Sequence, residues 1–202
     1  MQSANRIYDA LYRYTRALSV ALGFRDPMTR LHSERVFGLA MALGEHCGLA
    51  GAELGILKIG ASFHDIGKIG IPDRILLKPA PFDGAEWQVM RQHAEIGEQI
   101  ILSTEIDGAP EAARVIRHHH EYFDGHGYPD GLAGEAIPIA SRIVSIVDSY
   151  DAMAVTRAYH HAKEHAEVMA ILHGEAGTKH DPELLRTFAR MIEASPFKHA
   201  GV

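Results

Sequence analysis

Apolar residues recur at steps of three and four along nearly the whole of this 202-residue chain, and that period restricts it to a helical fold. Ile7, Leu11, Tyr14, Leu18 and Ala21 form one such stripe, and Val36, Leu39, Ala40 and Leu43 another. Met90, Ile96, Gly97 and Ile100 mark a further helix. The run Ile143-Val144-Ser145-Ile146-Val147 has the β-branched content of a strand. Yet Ile139, Ile143, Ile146/Val147 and Tyr150 step at helical spacing, which predicts a buried helix over 139–155. Asp26-Pro27, Asp83 with Glu86, and Asp181-Pro182 each place a capping residue ahead of an apolar run. No alternating strand pattern or hairpin signal appears elsewhere. The expectation is an all-α helical bundle. Residues 1–24 form a separate connector or packing helix, 25–195 the main domain and 196–202 a tail. The exception to helicity is Tyr122 to Pro138, where Gly125, Gly127, Pro129, Gly131 and Gly134 make a long loop. Such a loop inside a compact domain is usually functional.

Composition narrows the partners. A hydrophobic share of 47% with 23% charged residues is that of a globular chain with a sizeable core. The net charge of −6 argues against a polymeric nucleic acid, which needs a basic stripe to displace its counterions. A small phosphorylated ligand remains compatible, because a few local cations or metal ions offset its charge. The single cysteine, Cys47, allows no internal disulfide and fits a reducing, cytoplasmic setting. No apolar run reaches membrane-spanning length, and the N-terminus lacks a signal-peptide core.

Fourteen histidines are present, and helix geometry turns several of them inward. His32 precedes Val36, Leu39 and Leu43 on one face. His93 follows Met90 by three, His119 follows Val115 by four, and His120 follows Ile116 by four. His64 follows Ala61 by three with Asp65 beside it, and Asp148 shares a side with Val144, Asp151 and Val155. A lone inward histidine is more often a core residue bonded to backbone, and a lone aspartate a cap or ion-pair partner. Five histidines and two aspartates together are hard to satisfy with one another, and buried charge must be paired or coordinated. Imidazole plus carboxylate without thiolate suits iron, manganese or a similar divalent ion, and argues against a structural Cys-type zinc site. Seven donors exceed what one ion takes, so two ions are the natural count. Gly55 and Gly60 have phosphate-loop spacing, but Ala61 stands where lysine is needed. Neither HExxH nor GxSxG occurs.

The segment His64-Asp65-Ile66-Gly67-Lys68, followed by Ile71-Pro72-Asp73, strongly resembles the HD-GYP family of metal-dependent phosphohydrolases. So do His119-His120-Glu121, the Asp124-Gly125-His126-Gly127-Tyr128-Pro129 loop and Asp148-Ser149-Tyr150-Asp151-Ala152. The similarity runs from about Asp26 to Phe188. It implies an HD-type helical bundle with the glycine-rich loop over a metal site, and hydrolysis of cyclic di-GMP by a metal-bridging hydroxide. The first product would be the linear dinucleotide, followed by GMP if a second cut occurs. By position, His32, His64, Asp65, His93, His119, His120 and Asp148 become ligands of two divalent ions, with Asp65 bridging. Lys68 would act on the scissile phosphate. Gly127, Tyr128 and Pro129 would shape the substrate loop with Tyr128 against a guanine, and Arg157, Asp151 and His160 would complete the substrate contacts.

Two departures from the family pattern matter. Met28 stands where some members carry a glutamate that supports a third ion, so two ions are expected. His160 stands where many carry lysine or arginine, which weakens one phosphate contact at neutral pH. Asp124 or Glu121 either orients a ligand histidine or caps the loop. Alternatives are a hydrolase of another cyclic dinucleotide or nucleotide phosphate, and a non-hydrolysing sensing module. The resemblance also allows a sensor or receiver domain or protein partner at the N-terminal helix, and a homodimer.

Overall fold

Each aspartate expected to start a helix does so. Asp26 accepts the N–H groups of Met28 and Thr29, and Asp181 those of Glu183 and Leu184. Asp83 and Glu86 form a reciprocal capping box. Each cap satisfies donors that a helix start leaves orphaned, and is worth about 1 kcal/mol. The protein is described here by a computed structural model covering residues 2–155 and 162–198. Its helices are α1 (Gln2–Arg25), α2 (Pro27–His46), α3 (Ala52–Phe63), α4 (Asp73–Leu76), α5 (Gly84–Arg91), α6 (His93–Leu102), α7 (Ala109–His118), α8 (Ile139–Ala154), α9 (His165–Gly174) and α10 (Pro182–Glu193). Two short 3-10 turns, Ile66–Gly70 and Gly134–Ala136, complete the elements, and no strand occurs among the described residues. The fold is the all-α bundle expected, and no described helix is long and apolar enough to cross a membrane.

The β-branched run is helical, within α8. Ile143, Val144, Ile146 and Val147 are buried against Val36, Leu39, Ala40 and Leu43 of α2 and against Leu185, Phe188 and Ile192 of α10. A helix covered on most of its circumference reads as continuously apolar, which explains the strand-like composition. A second apolar cluster joins α1, α3, α6 and α7 through Leu11, Ile59, Ile101 and Ile116.

Two local expectations change. The stripe of α1 that meets the core is Tyr8, Leu11, Thr15 and Leu22, while Leu18 and Ala21 are exposed. Leu11 is buried as expected, the side chains of Ile7 and Tyr14 lie outside the described residues, and Thr15 is buried as readily as an apolar residue because its hydroxyl is satisfied on the carbonyl of Leu11. The segment 90–100 is two helices, broken at Gln92, so Met90 belongs to the end of α5 and His93 begins α6.

Close packing fixes the turn after α3. A Cβ on Gly67 would lie 1.9 Å from the carbonyl oxygen of His93, so only glycine lets this turn seat against α6. The last residue of α1, Arg25, donates to the carbonyls of Ile69 (2.6 Å) and Ile71 and pairs with Asp73 (2.7 Å). The turn carrying Lys68 is therefore held from two sides.

Candidate metal centre

Four segments deliver imidazoles to one interior point. His32 comes from the first turns of α2, His64 from the C-terminus of α3, His93 from the start of α6, and His119 and His120 from the end of α7. Asp148 enters from α8. The donor atoms form two groups, His32 with His64 and Asp148, and His93 with His119 and His120, each group within 4.8 Å. Asp65 lies between them. Its Oδ2 is 3.5 Å from His64 Nε2 and 4.0 Å from His32 Nε2, and its Oδ1 is 3.6 Å from His93 Nε2. The seven residues expected from sequence are thus brought together, and one carboxylate faces both groups.

The ring orientations follow from what each Nδ1 does. Nδ1–H of His64 donates to the carbonyl of Ala61 (2.9 Å), that of His93 to Met90 (2.8 Å) and that of His119 to Ile116 (2.6 Å). Each bond reaches back one helical turn and aims Nε2 at the centre. His32 uses a carboxylate instead: its Nδ1 donates to Asp151 (2.7 Å), which Arg35 grips through both oxygens.

This arrangement fits metal ions. Burial first, and neighbouring histidines second, hold His119 down to about 3 and keep His120 well below the usual range. Burial likewise lowers His93. The neutral rings of His93 and His119, both committed at Nδ1, then point Nε2 lone pairs at each other across 3.4 Å, with His120 Nε2 a further 3.2 Å from that of His93. That is repulsive without a cation, and nitrogens about 2.1 Å from a shared ion lie about 3.0–3.4 Å apart. Burial opposes ionisation of Asp65, but Lys68 and the surrounding histidines outweigh it and keep its carboxyl well below the ordinary range. The His/Asp clusters can therefore hold metal.

The centre floors a cleft of about 690 Å³. His32, Asp65, Lys68, His93, His120, Tyr128 and Asp148 all line it. Lys68 Nζ is 2.7 Å from Asp65 Oδ2. The loop hangs at the edge: Tyr128 stacks on His120 with ring centres 4.8 Å apart, and the Tyr128–Pro129 peptide is cis. Gly127 passes so close to Glu121 and Tyr122 that a Cβ would meet backbone at 2.2 Å. Glu121 accepts N–H bonds from Asp130 and Leu132, and Asp124 accepts that of His126, so both carboxylates cap the loop and neither orients a ligand histidine. His118 and Arg117 add a clamp on Asp130.

Asp151, expected at the substrate, has no exposed surface and lies beneath His32, where burial and the Arg35 pair give it an orienting position. Met28 lines the cleft with a thioether where a third ion would need an oxygen. Arg157 and His160 lie outside the described residues. Residues that sequence reasoning passed over include Arg25, Arg35, Arg91 and Trp87. Arg35 sits three residues from His32, a spacing that could have flagged it. Arg25 and the Arg91–Tyr128 contact act across long separations that leave no periodic mark, and an exposed Trp87 breaks no pattern.

A family model described as HD domain matches residues 16–184. A cyclic di-GMP phosphodiesterase of Thermotoga maritima is 36% identical over 183 residues, which is 91% of this chain and 50% of that protein. The 3'3'-cGAMP-specific phosphodiesterase 2 of Vibrio cholerae is 34% identical over 168 residues, 83% of this chain and 32% of that one. The solved structure of Bd1817, an HDG"Y"P protein from Bdellovibrio bacteriovorus, superposes with a TM-score of 0.69 at 20% identity. It covers 96% of this chain and 64% of its own, a likeness that shows the fold. The chain spans half or less of the length of these curated relatives. By the family match and by motifs that sit together in one cleft, the chain belongs to the HD domain family, in its HD-GYP branch.

Proposed function

We propose that this chain hydrolyses a cyclic dinucleotide, cyclic di-GMP foremost, at a centre of two divalent ions. Asp65 carries the reading: its two oxygens face two separate donor groups on the floor of an open cleft. The ligands are His32, His64, Asp65 and Asp148 on one side and His93, His119 and His120, with Asp65, on the other. Imidazole and carboxylate donors favour iron or manganese, which when bound supplies a nucleophilic hydroxide at neutral pH and offsets the charge of the phosphodiester. Lys68 does the rest of the charge work. Its ammonium sits at the cleft face of Asp65, where negative charge grows on the phosphoryl oxygens. Tyr128, stacked on His120 and with Arg91 over its ring at 4.8 Å, is fixed in the cleft lining within reach of a base. The linear dinucleotide leaves first, and GMP follows if a second cut occurs.

The Vibrio cholerae relative favours 3'3'-cGAMP as a second reading of the substrate. The deciding experiment incubates the chain with cyclic di-GMP or 3'3'-cGAMP in ferrous iron or manganese and separates the products. Linear dinucleotide from at least one substrate is expected. Tight binding with no cleavage in either metal would replace this reading with a sensing module. Domain limits of 25–195, a cytoplasmic setting, and a role for α1 toward a sensor or receiver domain or a second copy belong to the same proposal, supported by the single half-buried Cys47 and the partial coverage of the relatives.

A further inference from the structure

The cleft has a second wall unlike its floor. Among the large apolar residues that stand exposed, Met28, Leu77 and Trp87 all line this one cleft. Trp87, on α5, is 42% exposed and stacks on Phe82 with ring centres 6.0 Å apart and planes 28° from parallel. The guanidinium of Arg91 lies 5.7 Å from the Trp87 ring and 4.8 Å from the Tyr128 ring. Its buried Nε has no hydrogen-bond partner among the described residues, so the guanidinium is placed by its flat faces. His120, Tyr128, Arg91, Trp87 and Phe82 are thus neighbours in turn, and Arg91 and Phe82 together still leave 42% of Trp87 exposed on the cleft.

We infer that Trp87 is the platform on which the second base of a cyclic dinucleotide stacks. This rests on the proposed activity and deepens it. A bare phosphate has no use for an aromatic wall, and Lys78, the nearby cation on that wall, is already paired with Glu86. A flat, apolar, weakly polar ligand face does match it. Tyr128 stands next to the ligand histidines and serves the base beside the cleaved phosphate. Trp87 lies one cation further from the ligand histidines, with exposed surface on the same cleft. Each base stacked on an aromatic side chain gains about 1–3 kcal/mol, and the ring accepts any base, so Trp87 secures dinucleotides over mononucleotides without choosing between guanine and adenine.

Trp87 is the only tryptophan of the chain, so its emission reports directly. Titrating the metal-loaded protein with a non-hydrolysable phosphorothioate analogue of cyclic di-GMP should quench that emission saturably, and GMP should quench it far less. Trp87→Ala should raise KM for cyclic di-GMP about ten- to a hundredfold with a much smaller change in kcat. Trp87→Phe should recover most of the loss. Cleavage by the wild-type chain with unquenched emission, or an unchanged KM in Trp87→Ala, overturns this inference and leaves the proposed activity standing. A wild-type chain that neither binds nor cuts cyclic di-GMP overturns both.

Discussion

The two halves of the centre are built differently. In the His32, His64 and Asp148 half, His64 rests on the Ala61 carbonyl, but side chains set the electrostatics of His32. Burial opposes charge on His32, yet hydrogen bonds to Asp148 and Asp151 outweigh it and push the ring up to about 9. Arg35 in turn fixes Asp151 at 2.6 Å. In the other half, His93, His119 and His120 are all imidazole, and burial pushes each of them down. Their documented supports are backbone carbonyls of Met90 and Ile116. One half can be tuned by a substitution outside the ligand set. The other is tied to helix geometry and changes only when a ligand itself is replaced.

Asp65 is the element the halves share, so its loss has the largest effect. Asp65→Ala should lower turnover at least about a thousandfold and deplete metal from both halves together. Activity assays with metal analysis on one preparation check this, and wild-type turnover in the variant would break the pairing. Lys68→Ala comes next. It leaves every donor in place but removes a charge from the side facing His32 and His64, so kcat should fall about a hundredfold while metal is retained.

Asp151→Asn tests the contrast itself. Loss of the carboxylate that orients His32 should weaken manganese binding about 10–100-fold in that half. The histidine half should bind as before, giving two separated steps in a titration. Equal weakening of both halves would show that they do not differ in the way described. The smallest effect is expected from Arg117→Ala, which removes a partly exposed pair at 2.7 Å and leaves Asp130, beside Pro129, held by His118. Thermal stability should drop by no more than about 1 kcal/mol, and KM should rise a few-fold as the loop loosens.

The same contrast explains what could be read from the sequence. The ligand histidines were visible because each breaks the apolar stripe of its helix, as His32 does ahead of Val36 and Leu39. The expected helix 139–155 holds as α8, because its spacing outlasts the local β-branched content. Periodicity places Asp151 on the side of Asp148 but does not say that His32, 119 residues away, lies in between. It also favoured Leu18 and Ala21 over Thr15 on α1, because a threonine that satisfies itself on the backbone has no apolar signature. The aromatic wall was invisible for a further reason. Trp87 and Arg91 share a helix, but Tyr128 arrives from a distant loop, and exposed rings violate no pattern.

The number of bound ions tests the two-metal centre most directly. Metal analysis of the chain purified without chelator from iron- and manganese-supplemented cells should find two ions per chain, falling to about one in His119→Ala. A wild-type chain that holds one ion or none, or a third ion at high occupancy beside Met28, would contradict it.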